Sequence, residues 1–138
     1  MKRRRLLLAI PGLLALAAPA AWGCGVCVED KVAATYDHAV LQRAAANGQL
    51  VMFCGVTGRA DAARLRQAAA SVRGLDRASV RVSAQPAALS FALDPRRQSP
   101  RHAVAALQRA LPPGTQVELI KLAGADGLQT AAAARGKR

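Results

Sequence analysis

Two short runs of alternating apolar and small or polar residues lie back to back near the middle of the chain. They constrain the fold more than any other feature. Residues 78–82 (ASVRV) and 89–93 (LSFAL) are separated by a turn at Gln85-Pro86. A period of two is typical of a strand with one buried face, so the runs predict two adjacent strands, with Asp94-Pro95 closing the second.

Segments with helical spacing lie on both sides of these two runs. The first, residues 61–73, stops at Gly74, and the second opens at Ser99-Pro100 and must end at residues 112–114 (PPG). Short apolar runs at residues 50–56 and 117–122 read as buried strands. The order strand, helix, strand, strand, helix, strand predicts an α+β chain with a ferredoxin-like βαββαβ sandwich over 50–122.

Residues 28–46 precede this plan and predict an additional N-terminal helix. Val28, Val32, Tyr36 and Val40 recur at spacing four, and Asn47-Gly48 is a stop signal. Nineteen helical residues span roughly 28 Å, against roughly 23 Å for a seven-residue strand. A helix running back along the first strand would therefore end near Cys54 and Gly55.

We expect this helix to cover a sheet face that the two later helices leave open. In the expected register Val51 and Phe53 face the later helices. Leu50, Met52 and Cys54 then face the other side, beside the small residues Ala88, Ser90 and Ala92 of the third strand. Val32, Tyr36 and Val40 would cover them, since an exposed apolar patch is unusual in a monomer. Truncation of Tyr36 to alanine would then cost about 2–4 kcal/mol.

The first 23 residues resemble a secretory signal peptide. Residues 2–5 (KRRR) precede the apolar stretch 6–20, which Pro11 and Gly12 interrupt and which is short for a bilayer span. The predicted divisions are a signal peptide at 1–23, a Cys-x-x-Cys segment and helix at 24–49, the sandwich at 50–122, and a disordered basic tail at 123–138. Export predicts a periplasmic or secreted protein without an integral membrane span after cleavage. A lipoprotein anchored at Cys24 is a minor alternative.

Three cysteines remain, and an oxidising compartment favours a disulfide between close ones. Cys24 and Cys27 form a Cys-x-x-Cys pair, while Cys54 is alone in an apolar run. At a helix start the pair could bind a soft metal ion, because helix N-termini stabilise thiolates, with Cys54 as a third donor or as a small buried hydrophobe. A plain disulfide and a thioredoxin-like dithiol are the alternatives. The dithiol lacks the strand that should precede the motif.

Residues 50–122 resemble the heavy-metal-associated domain family of copper chaperones and metal-pumping ATPases. That family has a Gly-Met-Thr/Ser-Cys-x-x-Cys loop after the first strand. Gly55 and Thr57 match its glycine and Thr/Ser, residues 74–75 (GL) match its Gly-Val, and residues 93–95 (LDP) match its hydrophobic-Asp-Pro close. The resemblance implies a ferredoxin-like fold and soft-metal handling.

The same register places Gly58 and Asp61 where the family's two metal-binding cysteines stand. Glycine has no ligand atom, and a carboxylate is a poor ligand for Cu(I). The metal loop is therefore degenerate, and Asp61 is expected to cap the following helix. Cysteine at both positions would be expected to restore a Cu(I) site in an undisturbed fold.

The remaining composition argues against other classes of function. Eight acids and two histidines offer no catalytic constellation, so an enzyme is not expected. Four of the charges behind the net +12 lie at residues 2–5, and the arginines after residue 23 are dispersed without aromatic interleaving, which argues against nucleic-acid binding. The leading hypothesis is soft-metal binding, for example of Cu(I), through Cys24, Cys27 and Cys54, with a metal-transport or metal-resistance protein as partner. The alternative is a metal-free interaction module with a structural disulfide.

Overall fold

A five-stranded antiparallel sheet with helices on both faces organises the described residues, 27–124 and 126–130, of the computed structural model. The elements are α1 (Val28–Thr35), α2 (His38–Ala46), β1 (Leu50–Thr57), α3 (Ala62–Ala70), β2 (Leu75–Ala84), β3 (Ala87–Leu93), α4 (Pro100–Ala110), β4 (Gln116–Gly124) and β5 (Gly127–Thr130). The strand order is β2-β3-β1-β4-β5. The predicted α+β class is confirmed, and the order from β1 to β4 is compatible with a ferredoxin-like arrangement.

The larger part of the core lies between one sheet face and the crossover helices α3 and α4. Each crossover helix begins at a capping side chain: Asp61 accepts a hydrogen bond from the Arg64 amide at 2.8 Å, and Ser99 accepts one from the His102 amide at 3.3 Å. The fully buried side chains of this cluster come from two strands, β1 and β3, and both helices: Met52, Cys54, Leu65, Ala69, Leu89, Phe91, Leu93, Ala103 and Leu107. The position of both helix starts agrees with the sequence prediction.

A smaller core lies on the opposite face, beneath α1 and α2. Val32, Val40 and Ala44 of these helices pack with Val51 and Phe53 of the sheet. The helical segment at residues 28–46 therefore covers the second face, as expected, but it is not one helix. The chain leaves the helical conformation at Tyr36 and begins again after Asp37.

The break corrects the expectation for Tyr36. Its backbone is extended (φ −68°, ψ 129°) and the residue is 46% exposed, so it is not part of the buried cluster beneath α1 and α2. Asp37 explains the break, because its carboxylate accepts a hydrogen bond from the Val40 amide at 3.1 Å and caps α2. The same carboxylate binds the Arg81 guanidinium of β2 at 2.9 Å.

The expected faces of β1 were also wrong. Met52 and Cys54 point toward the crossover helices, whereas Val51 and Phe53 point toward α1 and α2. In the antiparallel register Met52 lies opposite Phe91 of β3, and directly opposed residues share a face. Since Phe91 belongs to the crossover cluster, Met52 must as well, and a shift of one residue inverts every assignment along the strand.

The chain continues in the sheet beyond the predicted limit at residue 122. The pairing of β1 with β4 shifts between Phe53 and Cys54, where a bulge accommodates Ile120. Beyond the bulge β4 extends to Gly124 and turns into β5, so the tail predicted from 123 begins too early. Residues 131–138 of that tail and the predicted signal peptide lie outside the described residues.

Candidate functional site

Cys27 lies at the start of α1, and its side chain is exposed. Its carbonyl accepts hydrogen bonds from the amides of Asp30 at 3.0 Å and Lys31 at 3.3 Å, which closes the first helical turn. Its thiol makes no capping hydrogen bond to those amides. The sulfur is therefore accessible from solvent beside a helix N-terminus. Cys24, the other half of the predicted pair, lies outside the described residues.

Polar and apolar contacts fix α1 to the sheet along its length, from its first turn to its last residue. Glu29 forms an ion pair with Lys121 of β4, with the nitrogen 2.6 Å from one carboxylate oxygen and 2.8 Å from the other. The hydroxyl of Ser90 on β3 donates a hydrogen bond to the Thr35 carbonyl at 2.8 Å. Val32 lies between these two contacts and is 6% exposed. The start of α1 is thus held near the middle strands.

Gly55 leaves room for the first turn of α1. A β-carbon at this position would lie 2.9 Å from Cδ1 of Ile120 and 3.3 Å from Cδ of Lys31. Lys31 therefore lies directly over the second half of β1, one turn after Cys27. The contact places the residue one turn after Cys27 near Gly55, while residues 24–26 of the Cys-x-x-Cys segment lie outside the described residues.

The structure does not bring Cys54 together with Cys27. Cys54 points into the crossover cluster and is 1% exposed, whereas α1 lies on the opposite face of the sheet. Burial raises the pKa of the Cys54 thiol to about 12, which disfavours the thiolate that a soft metal needs. The expected role of Cys54 as a third donor beside Cys27 is therefore not supported by the geometry. The alternative role, a small buried hydrophobe, fits its surroundings.

The loop between β1 and α3 corrects the expectation that two cysteines would restore a metal site there. Gly58 has φ +93°, and a β-carbon on it would overlap the carbonyl oxygen of Gly114. The close approach of the two loops is held by the Thr115 hydroxyl, which donates a hydrogen bond to the Arg59 carbonyl at 2.7 Å. A cysteine at position 58 would therefore disturb the fold. Asp61 caps α3, as the sequence predicted.

Other candidate ligands are dispersed in the part of the chain that the structure describes. No group of three or more histidine, cysteine or acidic side chains there could hold a metal ion. His38 and His102 are exposed at the starts of α2 and α4, on opposite sides of the sheet. Among the described residues, no helix has the length and apolar character of a membrane span.

The sequence prediction missed the residues that position α1. A signal for Asp37 was present, because an aspartate three residues before Val40 is a typical helix cap. The pair of Glu29 and Lys121 had no local signal, since the two residues are 92 positions apart.

Comparisons with known proteins supply no assignment for this site. No family model matches the chain, and neither a curated protein nor a solved structure matches it.

Proposed function

We propose that this chain is an exported soft-metal-binding protein, and that Cys24 and Cys27 are its ligands. The observation that carries the proposal is the exposed side chain of Cys27 at the start of a helix that is fixed to the sheet. Two thiolates suffice for Cu(I), which accepts linear coordination by sulfur. The proposal differs from the sequence hypothesis in one respect, because Cys54 takes no part in it.

The surroundings of Cys27 suit a bound thiolate. The first amides of α1 and the positive end of its dipole lie beside the sulfur and favour negative charge there. The ion pair of Glu29 with Lys121 restrains the helix on which Cys27 lies, and a restrained ligand loses less freedom on binding metal.

Further assignments follow from the sequence. The strand and helix order supports a ferredoxin-like sandwich with an added N-terminal helical segment, resembling heavy-metal-associated domains. The predicted signal peptide supports a periplasmic or secreted location. A metal-transport or metal-resistance protein would then be the partner, because a soluble carrier has to deliver its ion.

The competing proposal is a metal-free interaction module in which Cys24 and Cys27 form a disulfide. An exposed Cys27 near the mature N-terminus would be oxidised readily in an exported protein. The closed loop would be very short, so the bond would stabilise the fold by at most about 3 kcal/mol.

Titration of the reduced protein with Cu(I) against a competing chelator separates the two proposals. We expect one ion to bind more tightly than micromolar, with release of protons as the thiols ionise. Cys27→Ser should abolish binding. Cys54→Ala is the matched control and should leave the affinity unchanged, because this thiol lies on the other face of the sheet.

Folded, reduced wild-type protein that binds no Cu(I) at micromolar concentration would overturn the metal proposal. The disulfide proposal predicts instead that metal has no effect, and that Cys27→Ser lowers the free energy of unfolding only under oxidising conditions.

A further inference from the structure

Exposed arginines are concentrated on one side of the molecule, the crossover helices with their flanking loops. We define residues 58–74 and 94–115 as the arginine layer. We propose that this layer binds the surface of an anionic phospholipid bilayer. The proposal is independent of metal binding, since the layer lies on the sheet face opposite α1.

The half of the arginine layer around α3 carries four exposed arginines and one acid. The arginines are Arg59, Arg64, Arg66 and Arg73. Asp61 caps α3 through the Arg64 amide and lies 3.6 Å from the Arg64 guanidinium. One carboxylate thus offsets a single arginine, and the other three guanidinium groups face solvent.

The half of the layer around α4 has the same excess of arginines over acids. Arg96, Arg97, Arg101 and Arg109 are exposed, and Asp94 is the only acid in this half. The Asp94 carboxylate pairs with Arg96 at 3.0 Å. The other three arginines of this half form no ion pair with Asp94.

The net positive charge of the described residues lies in this layer. The arginine layer holds eight arginines and two aspartates, a net charge of +6, whereas the remaining described residues sum to −1. Such an asymmetry produces a field directed from one side of the molecule, which attracts a polyanionic surface and orients the protein against it.

The chemistry of the layer fits lipid headgroups better than a folded protein. Protein interfaces usually contain an apolar or aromatic centre. The large exposed hydrophobic side chains of the described residues are Val28 and Tyr36, and neither lies in the layer. The cations of the layer are all arginines, and the guanidinium group can donate two parallel hydrogen bonds to a phosphate.

The same layer fits nucleic acid less well. It contains no phenylalanine, tyrosine or tryptophan side chain on which a base could stack. The predicted signal peptide also directs the chain away from the cytoplasm, toward a compartment bounded by phospholipid.

The proposal is tested by sedimentation of the protein with vesicles of phosphatidylglycerol and phosphatidylcholine, compared with vesicles of phosphatidylcholine alone, at low salt. We expect binding to the anionic vesicles only, and loss of binding as salt is raised, because screening weakens the attraction. Arg66→Gln with Arg101→Gln should weaken binding roughly 30-fold, from the typical contribution of each arginine near an anionic surface.

Arg43→Gln with Arg77→Gln is the matched control, since it removes two exposed positive charges outside the layer. We expect it to retain most of the binding. Equal losses in the two double variants would overturn the proposal, because net charge alone would then govern binding. Binding to duplex DNA with no binding to anionic vesicles would also overturn it.

Discussion

Gly58 and Gly48 show how the surroundings of a residue decide what a substitution costs. Both have positive φ, +93° and +67°. A β-carbon on Gly48 would meet nothing within 4 Å, whereas one on Gly58 would overlap the Gly114 carbonyl oxygen. Gly58 therefore serves two functions, since it forms the turn and lets the loop at residues 112–115 pass close by.

The matched substitutions Gly58→Ala and Gly48→Ala separate these contributions. We expect Gly48→Ala to lower the free energy of unfolding by about 1 kcal/mol, the usual cost of a left-handed conformation. Gly58→Ala should cost more than about 2 kcal/mol, because the loop must also move. Urea denaturation of both variants measures the difference, and equal losses would contradict the close approach.

Residue identity alone predicted the helix caps but not the requirement for glycine at position 58. The caps at Asp61 and Ser99 were predictable, because capping depends on residues three positions apart. The need for glycine at 58 was not, since it arises from the loop at 112–115, distant in sequence. The resemblance to a metal loop therefore suggested a lost ligand where the structure has a packing requirement.

At the scale of elements, the junction between α1 and α2 determines how the N-terminal segment covers the sheet. The segment crosses from Lys121 of β4 at its start to Arg81 of β2 at its middle, and α2 returns across the sheet. A single straight helix along β1 could not reach the edge strand β2. The break at Tyr36 allows this path and leaves the tyrosine exposed.

Truncations on either side of the break test this packing. Val40 is 2% exposed and packs on the sheet, so Val40→Ala should lower the free energy of unfolding by about 2 kcal/mol. Tyr36→Ala should cost less than about 1 kcal/mol, as is usual for an exposed position. Thermal or urea denaturation measures both. A loss for Tyr36→Ala as large as that for Val40→Ala would contradict the exposed position of the tyrosine and favour the expectation that it covers the sheet.

The junction between α1 and α2 also predicts that the free energy of unfolding depends on pH. The hydrogen bond from the Val40 amide, with that from Arg81, lowers the pKa of Asp37 below its ordinary value of 3.8. A lowered carboxyl pKa means that the folded state holds its proton less tightly than the unfolded state. The resulting stability is complete above the ordinary pKa and is lost as pH falls through the folded pKa.

Asp37→Asn keeps a capping oxygen but removes the charge. The free energy of unfolding of this variant should therefore fall less steeply than that of wild type between about pH 5 and pH 2. Denaturation curves across that range provide the comparison. Identical slopes in the two proteins would show that the Asp37 carboxylate is not stabilised in the fold.

Strands β3 and β1 show where sequence periodicity identifies the two faces of a strand and where it does not. Alternation in β3 was unambiguous, because its large residues Leu89, Phe91 and Leu93 lie on one face and small residues on the other. Every residue of β1 from Val51 to Val56 is buried, so its composition does not distinguish the faces. Only the pairing with β3 assigns them, and this assignment separated Cys54 from the predicted metal ligands.

At the scale of the whole molecule, the sheet separates the two surfaces for which we propose activities. The thiol of Cys27 lies with α1 on one face, and the arginine layer lies on the other. A protein bound to a bilayer through the arginine layer would present Cys27 away from the lipid, toward a soluble partner. Metal exchange and membrane attachment could then proceed together, and variants of one surface should leave the other activity unchanged.

The central claim is that Cys24 and Cys27, without Cys54, bind a soft metal ion. The most direct test is the X-ray absorption spectrum of the Cu(I)-loaded protein, prepared with a phosphine reductant so that no external thiol competes. We predict two sulfur ligands for each copper ion, and the same spectrum for Cys54→Ala. Three sulfur ligands that fall to two in Cys54→Ala would contradict the account, because Cys54 would then have to leave the buried cluster to reach the metal.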